Sequence, residues 1–372
     1  MGRSAGEEAR LSNLDGKAPE STDFANYFCT YAYLYHQKDM LEDHKRTGAY
    51  YNAVLQNRRQ FHGKVVLDVG TGSGILAIFA AKAGARKVYA VEATDMAKQA
   101  RTLVEANKFS DVIEVIQGTI ESIELPEKVD VIISEWMGYF LLRESMLDSV
   151  VLARDKFMAP GGAMYPSHAR MFLAPIHTEA GARRNTDFQG SMEGWAEFIG
   201  EMSAYYQVDL SCLSEPFRRE QRDYYLQTSQ WCDVHPSQLL GPGTPFVSYD
   251  LGKVTVEELK AGIRENFEMA VVEAGPVNAF CGWFDVQFRG SDASPADSPV
   301  TLTTAPDPTG ATHWGQQSFY CVPPIDCAAG ATLKAAIKVD RRRDNHRLLA
   351  VELAVKVEGQ SGGARELKWN IE

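Results

Sequence analysis

The spacing of hydrophobic and polar residues changes character twice along the chain. From Lys64 to Phe157, short apolar runs alternate with amphipathic stretches. Lys64–Val69, Lys87–Val91, Val112–Gln117 and Val129–Ser134 read as strands, being brief and continuously apolar. Ile75–Lys82, Met96–Asn107 and Glu144–Phe157 read as helices. Asp95 is placed to cap the second of these and Gly84 to end the first. Gly70–Gly74 is a glycine loop, and Pro160-Gly161-Gly162 reads as a turn. Strand alternating with helix predicts a parallel, doubly wound sheet. Past Tyr165 the period drops to two. Val277–Arg289 and Leu349–Val357 alternate apolar with polar residues, which predicts an antiparallel sheet or barrel, with Ser291–Pro299 as a loop.

Three segments stand outside this rhythm. Residues 1–22 are polar and predict a mobile tail. Phe24, Tyr27, Phe28, Tyr31, Tyr33 and Tyr35 then crowd together. Met40, His44, Tyr51, Val54 and Leu55 follow at helical spacing, so 38–56 is predicted as one amphipathic helix. Residues 185–235 look like an insertion rich in aromatic side chains, including Trp195, Tyr205, Tyr206, Tyr224 and Trp231. Such a surface either covers its own domain or buries against a second subunit, and the pattern leaves both open.

Charge and cysteine content narrow the function. Asp and Glu number 49 against 38 Lys and Arg, a net charge of −11. That disfavours direct nucleic-acid binding, which needs a cationic footprint, and suits a basic partner. A composition of 45% hydrophobic and 23% charged residues excludes wholesale disorder. No apolar run approaches ~18 residues, so no membrane span is expected. MGRSAGEEAR lacks the apolar core of a signal peptide, and Gly6 stands where a myristoylation motif wants Ser or Thr. The six cysteines form no CxxC pair and no zinc spacing. Reduced thiols in a cytoplasmic or nuclear protein are expected, with no metal.

Candidate chemistry begins at Val66-Leu67-Asp68-Val69-Gly70-Thr71-Gly72-Ser73-Gly74-Ile75. Three glycines between a strand and a helix let a nucleotide approach the backbone. The spacing is G-x-G-x-G, not the dinucleotide G-x-G-x-x-G, and Asp68 sits just before it. A carboxylate repels a pyrophosphate but attracts an amino group or a sulfonium. The loop therefore favours S-adenosylmethionine over NAD. Glu92 ends the second strand, where it can accept from both ribose hydroxyls, and Glu121 can reach the adenine edge.

The fourth strand runs into Ser134-Glu135-Trp136-Met137-Gly138-Tyr139-Phe140-Leu141-Leu142-Arg143-Glu144. Two carboxylates in an apolar loop need something positive to meet them. A glycosidase-like acid/base pair is conceivable. Beside a methyl donor, the partner that fits is a guanidinium, whose fork matches carboxylates two at a time. Clamped so, its remaining nitrogen keeps lone-pair character for in-line attack on the sulfonium methyl. Alternatively Glu144 simply opens the following helix.

Tyr27-Phe28-Cys29-Thr30-Tyr31, the glycine loop, Ser134-Glu135-Trp136-Met137-Gly138-Tyr139 with Glu144, and Thr312-His313-Trp314 together resemble the protein arginine N-methyltransferases, from about residue 23 to the C-terminus. The resemblance implies a Rossmann-like S-adenosylmethionine-binding domain (57–166) followed by an antiparallel β-barrel domain (167–372). N-terminal helices (23–56) would cover the cofactor, and a dimerisation arm (185–235) would build a homodimer. Glu135 and Glu144 would hold the substrate guanidinium. His313 would be catalytic, paired with Asp43. Tyr31, Met40, Arg46, Asp68, Gly70, Gly72, Glu92, Ala93, Glu121 and Met146 would contact the cofactor, with Arg46 on its carboxylate. Tyr27, Tyr139 and Trp314 would shape the arginine slot. Gln37 stands near that slot where many relatives have histidine. Met40, where a phenylalanine would mark symmetric products, points to a type I enzyme giving asymmetric dimethylarginine and S-adenosylhomocysteine. Expected substrates are histone tails or glycine/arginine-rich proteins. The rivals are an NAD-dependent oxidoreductase and a non-catalytic binder of arginine-rich tails.

Overall fold

The structure, a computed structural model, describes residues 31–372. The expected tail and the aromatic residues Phe24, Tyr27 and Phe28 lie outside the described residues.

Among the described residues two helices come first, α1 (Leu34–Glu42) and α2 (His44–Leu55), where the periodicity predicts one. They break because Asp43 turns extended and spends its carboxylate on the Arg46 amide, opening a new helix. Tyr50, Ala53 and Val54 face inward, and Tyr51 stays exposed.

Strands β1 (Val65–Val69), β2 (Lys87–Glu92), β3 (Ile113–Gln117), β4 (Val129–Ile133) and β5 (Met158–Tyr165) form one parallel sheet, in order β3-β2-β1-β4-β5. Its centre, β1, is buried on both faces, as its unbroken apolar run requires. Helices α3 (Ile75–Lys82), α4 (Met96–Ala106) and α5 (Leu147–Phe157) provide the crossovers. Three expectations shift here. Asp95 makes no cap bond and pairs with Lys98 and Gln117 instead. The Pro160-Gly161-Gly162 turn is an outward bulge within β5, between the Val129↔Met158 and Val131↔Ala163 pairs. Helix α5 starts at Leu147 rather than Glu144, because Glu144 and Ser145 hold left-handed φ values of 81° and 58°.

Beyond Tyr165 the sheets are antiparallel, as the alternation predicts. β6 (His168–Ile176), β7 (Gln230–Cys232), β8 (Thr244–Asp250), the 16-residue β10 (Gly275–Gly290), β11 (Pro295–Thr303) and β12 (Gln316–Cys327) make one sheet. β9 (Ile263–Ala270), β13 (Thr332–Arg341), β14 (Leu349–Val357) and β15 (Arg365–Ile371) make the other. Both contribute to one continuous apolar core in a barrel-like arrangement. The expected loop over Ser291–Pro299 is shorter, since Pro295 already pairs with Gly290. The aromatic insertion is a helical hairpin, α6 (Glu179–Tyr206) and α7 (Ser214–Leu226). It begins earlier than the pattern suggested, and Gln230–Cys232 has already returned to the sheet. Trp195 stacks on Phe217 at 4.3 Å and bonds Ser214, which ties the two helices together.

Candidate functional site

The carboxyl ends of β1, β2 and β4 open on a cavity of about 390 Å³, within the range of small-molecule sites. Gly70, Gly72 and Gly74 all have positive φ, so the loop after β1 needs glycine. A Cβ on Gly72 would also sit 2.8 Å from the Gln37 amide oxygen, and one on Gly70 would strike the Met146 methyl.

Asp68 corrects an expectation. Its carboxylate is fully buried beneath the loop and does not line the cavity. One oxygen accepts from the Thr71 hydroxyl at 2.5 Å. Burial pushes its pKa up to about 7, against the Thr71 and Ala77 hydrogen bonds and with a further push from the Glu92 charge. It braces the loop from below. Beside the glycine loop, Glu92 is the carboxylate that lines the cavity. It accepts from the Gly72 amide (2.9 Å) and from the Thr94 amide and hydroxyl (2.8 and 2.7 Å). Ala93 lines the wall beside it, and Glu121 does so while accepting from Ser149 at 2.8 Å.

The loop after β4 delivers Glu135 and Glu144 to this same cavity. Glu135 receives the Nε and Nη2 of Arg46 on one oxygen, at 3.0 and 2.7 Å, and the Met137 amide on the other. Arg46, expected on a cofactor carboxylate, therefore grips Glu135 here; its third nitrogen donates to the Met40 carbonyl. Glu144 accepts from the Tyr31 hydroxyl at 2.7 Å and from Arg143 at 3.3 Å. Burial raises its pKa; Tyr31 and Arg143 oppose that, Glu135 adds to it, and Arg347 opposes it. Phe140 and Leu141 also have positive φ, and a Cβ on Gly138 would collide with the Arg143 carbonyl. The loop is tightly coiled, so both glutamates leave it on the cavity side.

Tyr31, Met40 and Met146 line the cavity. Tyr27 lies outside the described residues. His313, Trp314 and Tyr139 do not line it. The His313 ring and backbone amide both bond one oxygen of Asp43, at 2.7 and 2.9 Å. Burial opposes ionisation of Asp43, but hydrogen bonds from the His313 ring and the Arg46 and His313 amides draw its pKa down to about 2. Trp314, expected as an open slot wall, is buried under the loop and donates to the Met137 carbonyl at 2.8 Å. Tyr139 lies under the Arg143 guanidinium, 5.6 Å from its ring centre.

Ser149, His346 and Arg347 are cavity residues that the sequence pattern does not single out, and Gln37 is one that it places elsewhere. Gln37, expected by the arginine slot, is instead buried against the glycine loop and accepts from the Ser73 amide at 3.2 Å. Its spacing from Met40 and Leu41, which also line the cavity, was the available signal. Ser149 follows Met146 at the same helical spacing. His346 and Arg347 come from the β13–β14 hairpin, and no local pattern announces them.

The residues fit S-adenosylmethionine. The glycine cradle admits a ligand against backbone, Glu92 and Glu121 supply acceptors, and among the described residues no cluster of lysines or arginines lines it for a phosphate. Among the described residues, no group of three His, Cys, Asp or Glu could hold a metal, and no helix is long and apolar enough to cross a membrane.

Comparison with known proteins agrees with this site. Residues 167–360 match the arginine methyltransferase oligomerization subdomain, and residues 44–152 match the ribosomal protein L11 methyltransferase family. The chain is 50% identical to protein arginine N-methyltransferase PRMT10 of Arabidopsis thaliana, over 96% of this chain and 94% of that protein. The Arabidopsis protein's crystal structure, described as a uniquely open conformation, superposes with a TM-score of 0.90 over 93% of this chain and 100% of that one. The Trypanosoma brucei PRMT1 enzyme–prozyme heterotetramer with AdoHcy superposes at 0.76, with 34% identity over 92% of this chain and 100% of that one.

Proposed function

The chain belongs to the protein arginine N-methyltransferases, enzymes dependent on S-adenosylmethionine, and from that premise we propose a type I enzyme that makes asymmetric dimethylarginine on basic protein tails. The observation that carries this reading is the convergence of Glu135 and Glu144 on the cavity that holds the glycine loop and Glu92. S-adenosylmethionine supplies a sulfonium methyl that an arginine nitrogen takes by in-line displacement, leaving S-adenosylhomocysteine and a proton.

The chain's residues bind and orient. Glu135 and Glu144 hold the guanidinium and keep positive charge on the nitrogens they touch. Tyr31 orients Glu144 through its hydroxyl. Gly70, Gly72, Glu92, Ala93, Glu121 and Arg46 seat the cofactor, and Met40 and Met146 bound the space around the accepting nitrogen. Asp68 stiffens the glycine loop. Asp43 and His313 pin the junction of α1 and α2 to the loop bearing Trp314. Tyr139 and Trp314 act behind the glutamate loop, shaping the arginine slot, with Tyr27 expected at its mouth.

The net charge of −11 favours cationic substrates such as histone tails and glycine/arginine-rich segments. The division into a cofactor-binding unit ending near Tyr165, a barrel-like unit and an arm that joins two copies as a homodimer belongs to the same reading. A cytoplasmic or nuclear location follows from the substrates. Incubation with histone-tail and glycine/arginine-rich peptides, then mass spectrometry of the product, tests it. Asymmetric dimethylarginine is expected; symmetric product would refute the type I assignment.

A further inference from the structure

Glu144 sits in a backbone conformation that its own neighbours in sequence do not explain. Glu144 and Ser145 are consecutive non-glycine residues with φ of 81° and 58°. Such residues cost about 1 kcal/mol or more each and persist only where surrounding contacts impose them. Here the contacts come from the far end of the chain. The Glu144 amide donates to the Arg347 carbonyl at 2.7 Å, and Arg347 Nη1 donates back to the Glu144 carbonyl at 2.7 Å. The Ser145 hydroxyl donates to the His346 carbonyl at 2.7 Å. At the hairpin's base, the Arg341 fork meets both oxygens of Asp148, at 2.7 and 2.6 Å. The hairpin joining β13 to β14 thus grips the segment from Glu144 to Asp148 from outside the parallel-sheet unit.

We propose that Arg347 is a positioning residue for methyl transfer, clasping the Glu144 backbone so that the Glu144 carboxylate meets the substrate guanidinium in one fixed place. The inference rests on the reading of Glu144 as a guanidinium clamp. The groups facing that carboxyl are the Tyr31 hydroxyl, Arg143 from its own loop, Glu135 from the end of β4, and Arg347 from the hairpin, where His346 offers its backbone. Burial favours the protonated acid, and a protonated Glu144 cannot clamp a cation. Among the described residues, Arg347 and Arg143 are cations that oppose that protonation.

Arg347→Met and Arg347→Lys, made in the full chain, test this with S-adenosylmethionine and a histone-tail peptide. In Arg347→Met, kcat is expected to fall about 10–100-fold, since small misplacements of a reacting group are costly. Cofactor affinity, measured by calorimetry, should stay within about twofold, because the clasp lies outside the glycine cradle. The acidic limb of kcat/KM should move to higher pH, as removing a cation raises the Glu144 pKa. Arg347→Lys keeps the charge and can reach the carbonyl, so it should recover most of kcat and return the limb. An Arg347→Met enzyme with unchanged kcat and limb would overturn the inference. So would loss of folding or of cofactor binding in both variants, which would mark a brace and nothing more. Glu144→Gln separates the two readings. It stays active if the clamp reading is wrong, and is inactive beside a normal Arg347→Met enzyme if only this inference is wrong.

Discussion

Burial alone would push Glu144 towards its neutral acid, and the Tyr31 hydroxyl and Arg143 guanidinium work against that push. Arg46 meets Glu135 with two nitrogens. Each carboxylate thus has a donor of its own before any substrate arrives, as buried charges require. The proposed clamp replaces or supplements these donors with a substrate guanidinium. Glu144→Gln keeps the shape and removes the charge. Turnover is then expected to fall by about 10²–10³, the scale of losing one electrostatic contact in a dry site. Cofactor affinity should hold, because Glu92 and the glycine loop are untouched. Single-turnover methylation with calorimetric binding checks both, and near-normal turnover would sink the clamp.

At the level of elements, Asp43 joins three pieces of chain. It ends α1, caps α2 through the Arg46 amide, and holds His313 on the loop after β11. Its side chain is only 6% exposed, so solvent screens these bonds little. The folded pKa of about 2 lies below the ordinary value of 3.8. The group therefore contributes stability that is present above pH 4 and is lost as pH falls through about 2. The size is on the order of 2 kcal/mol. Asp43→Asn should lower the denaturation midpoint at pH 7, and the gap from the parent should close between pH 4 and pH 2. A gap that stays constant with pH would show that the charge contributes nothing. The coiled glutamate loop illustrates the same dependence between elements. Its ends are fixed by Trp314, from the loop between β11 and β12, and by the β13–β14 hairpin.

Across the whole molecule, the parallel sheet supplies the cradle and the antiparallel sheets supply the rigidity behind the glutamates. The α6–α7 hairpin is internally tied, yet it leaves Tyr205, Tyr206 and Tyr224 more than half exposed. A long helical arm carrying aromatic residues at its far end suits contact with a second copy. Replacing Tyr205 and Tyr206 with glutamate should give a folded monomer in sedimentation, with reduced turnover. A variant that remains dimeric would argue against contact through this end of the arm.

The parallel sheet, the alternating strands of the second unit, the glycine loop and the glutamate pair are all legible in the local order of residues. Each is a local signal. Apolar period, glycine in left-handed backbone and a carboxylate pair in an apolar loop are all visible within a dozen residues. Tertiary structure decided the rest, because those outcomes depend on residues far apart in the chain. It split one expected helix at Asp43, where the acceptor of the cap competes with helix continuation. It delayed α5 to Leu147, because Arg347 and His346 fix Glu144 and Ser145 in a left-handed turn. It sank Asp68 beneath the loop and left Glu92 facing the cavity. It also set Gln37 on the glycine loop and Trp314 behind the glutamates, since the orientation of a side chain follows from what packs against it.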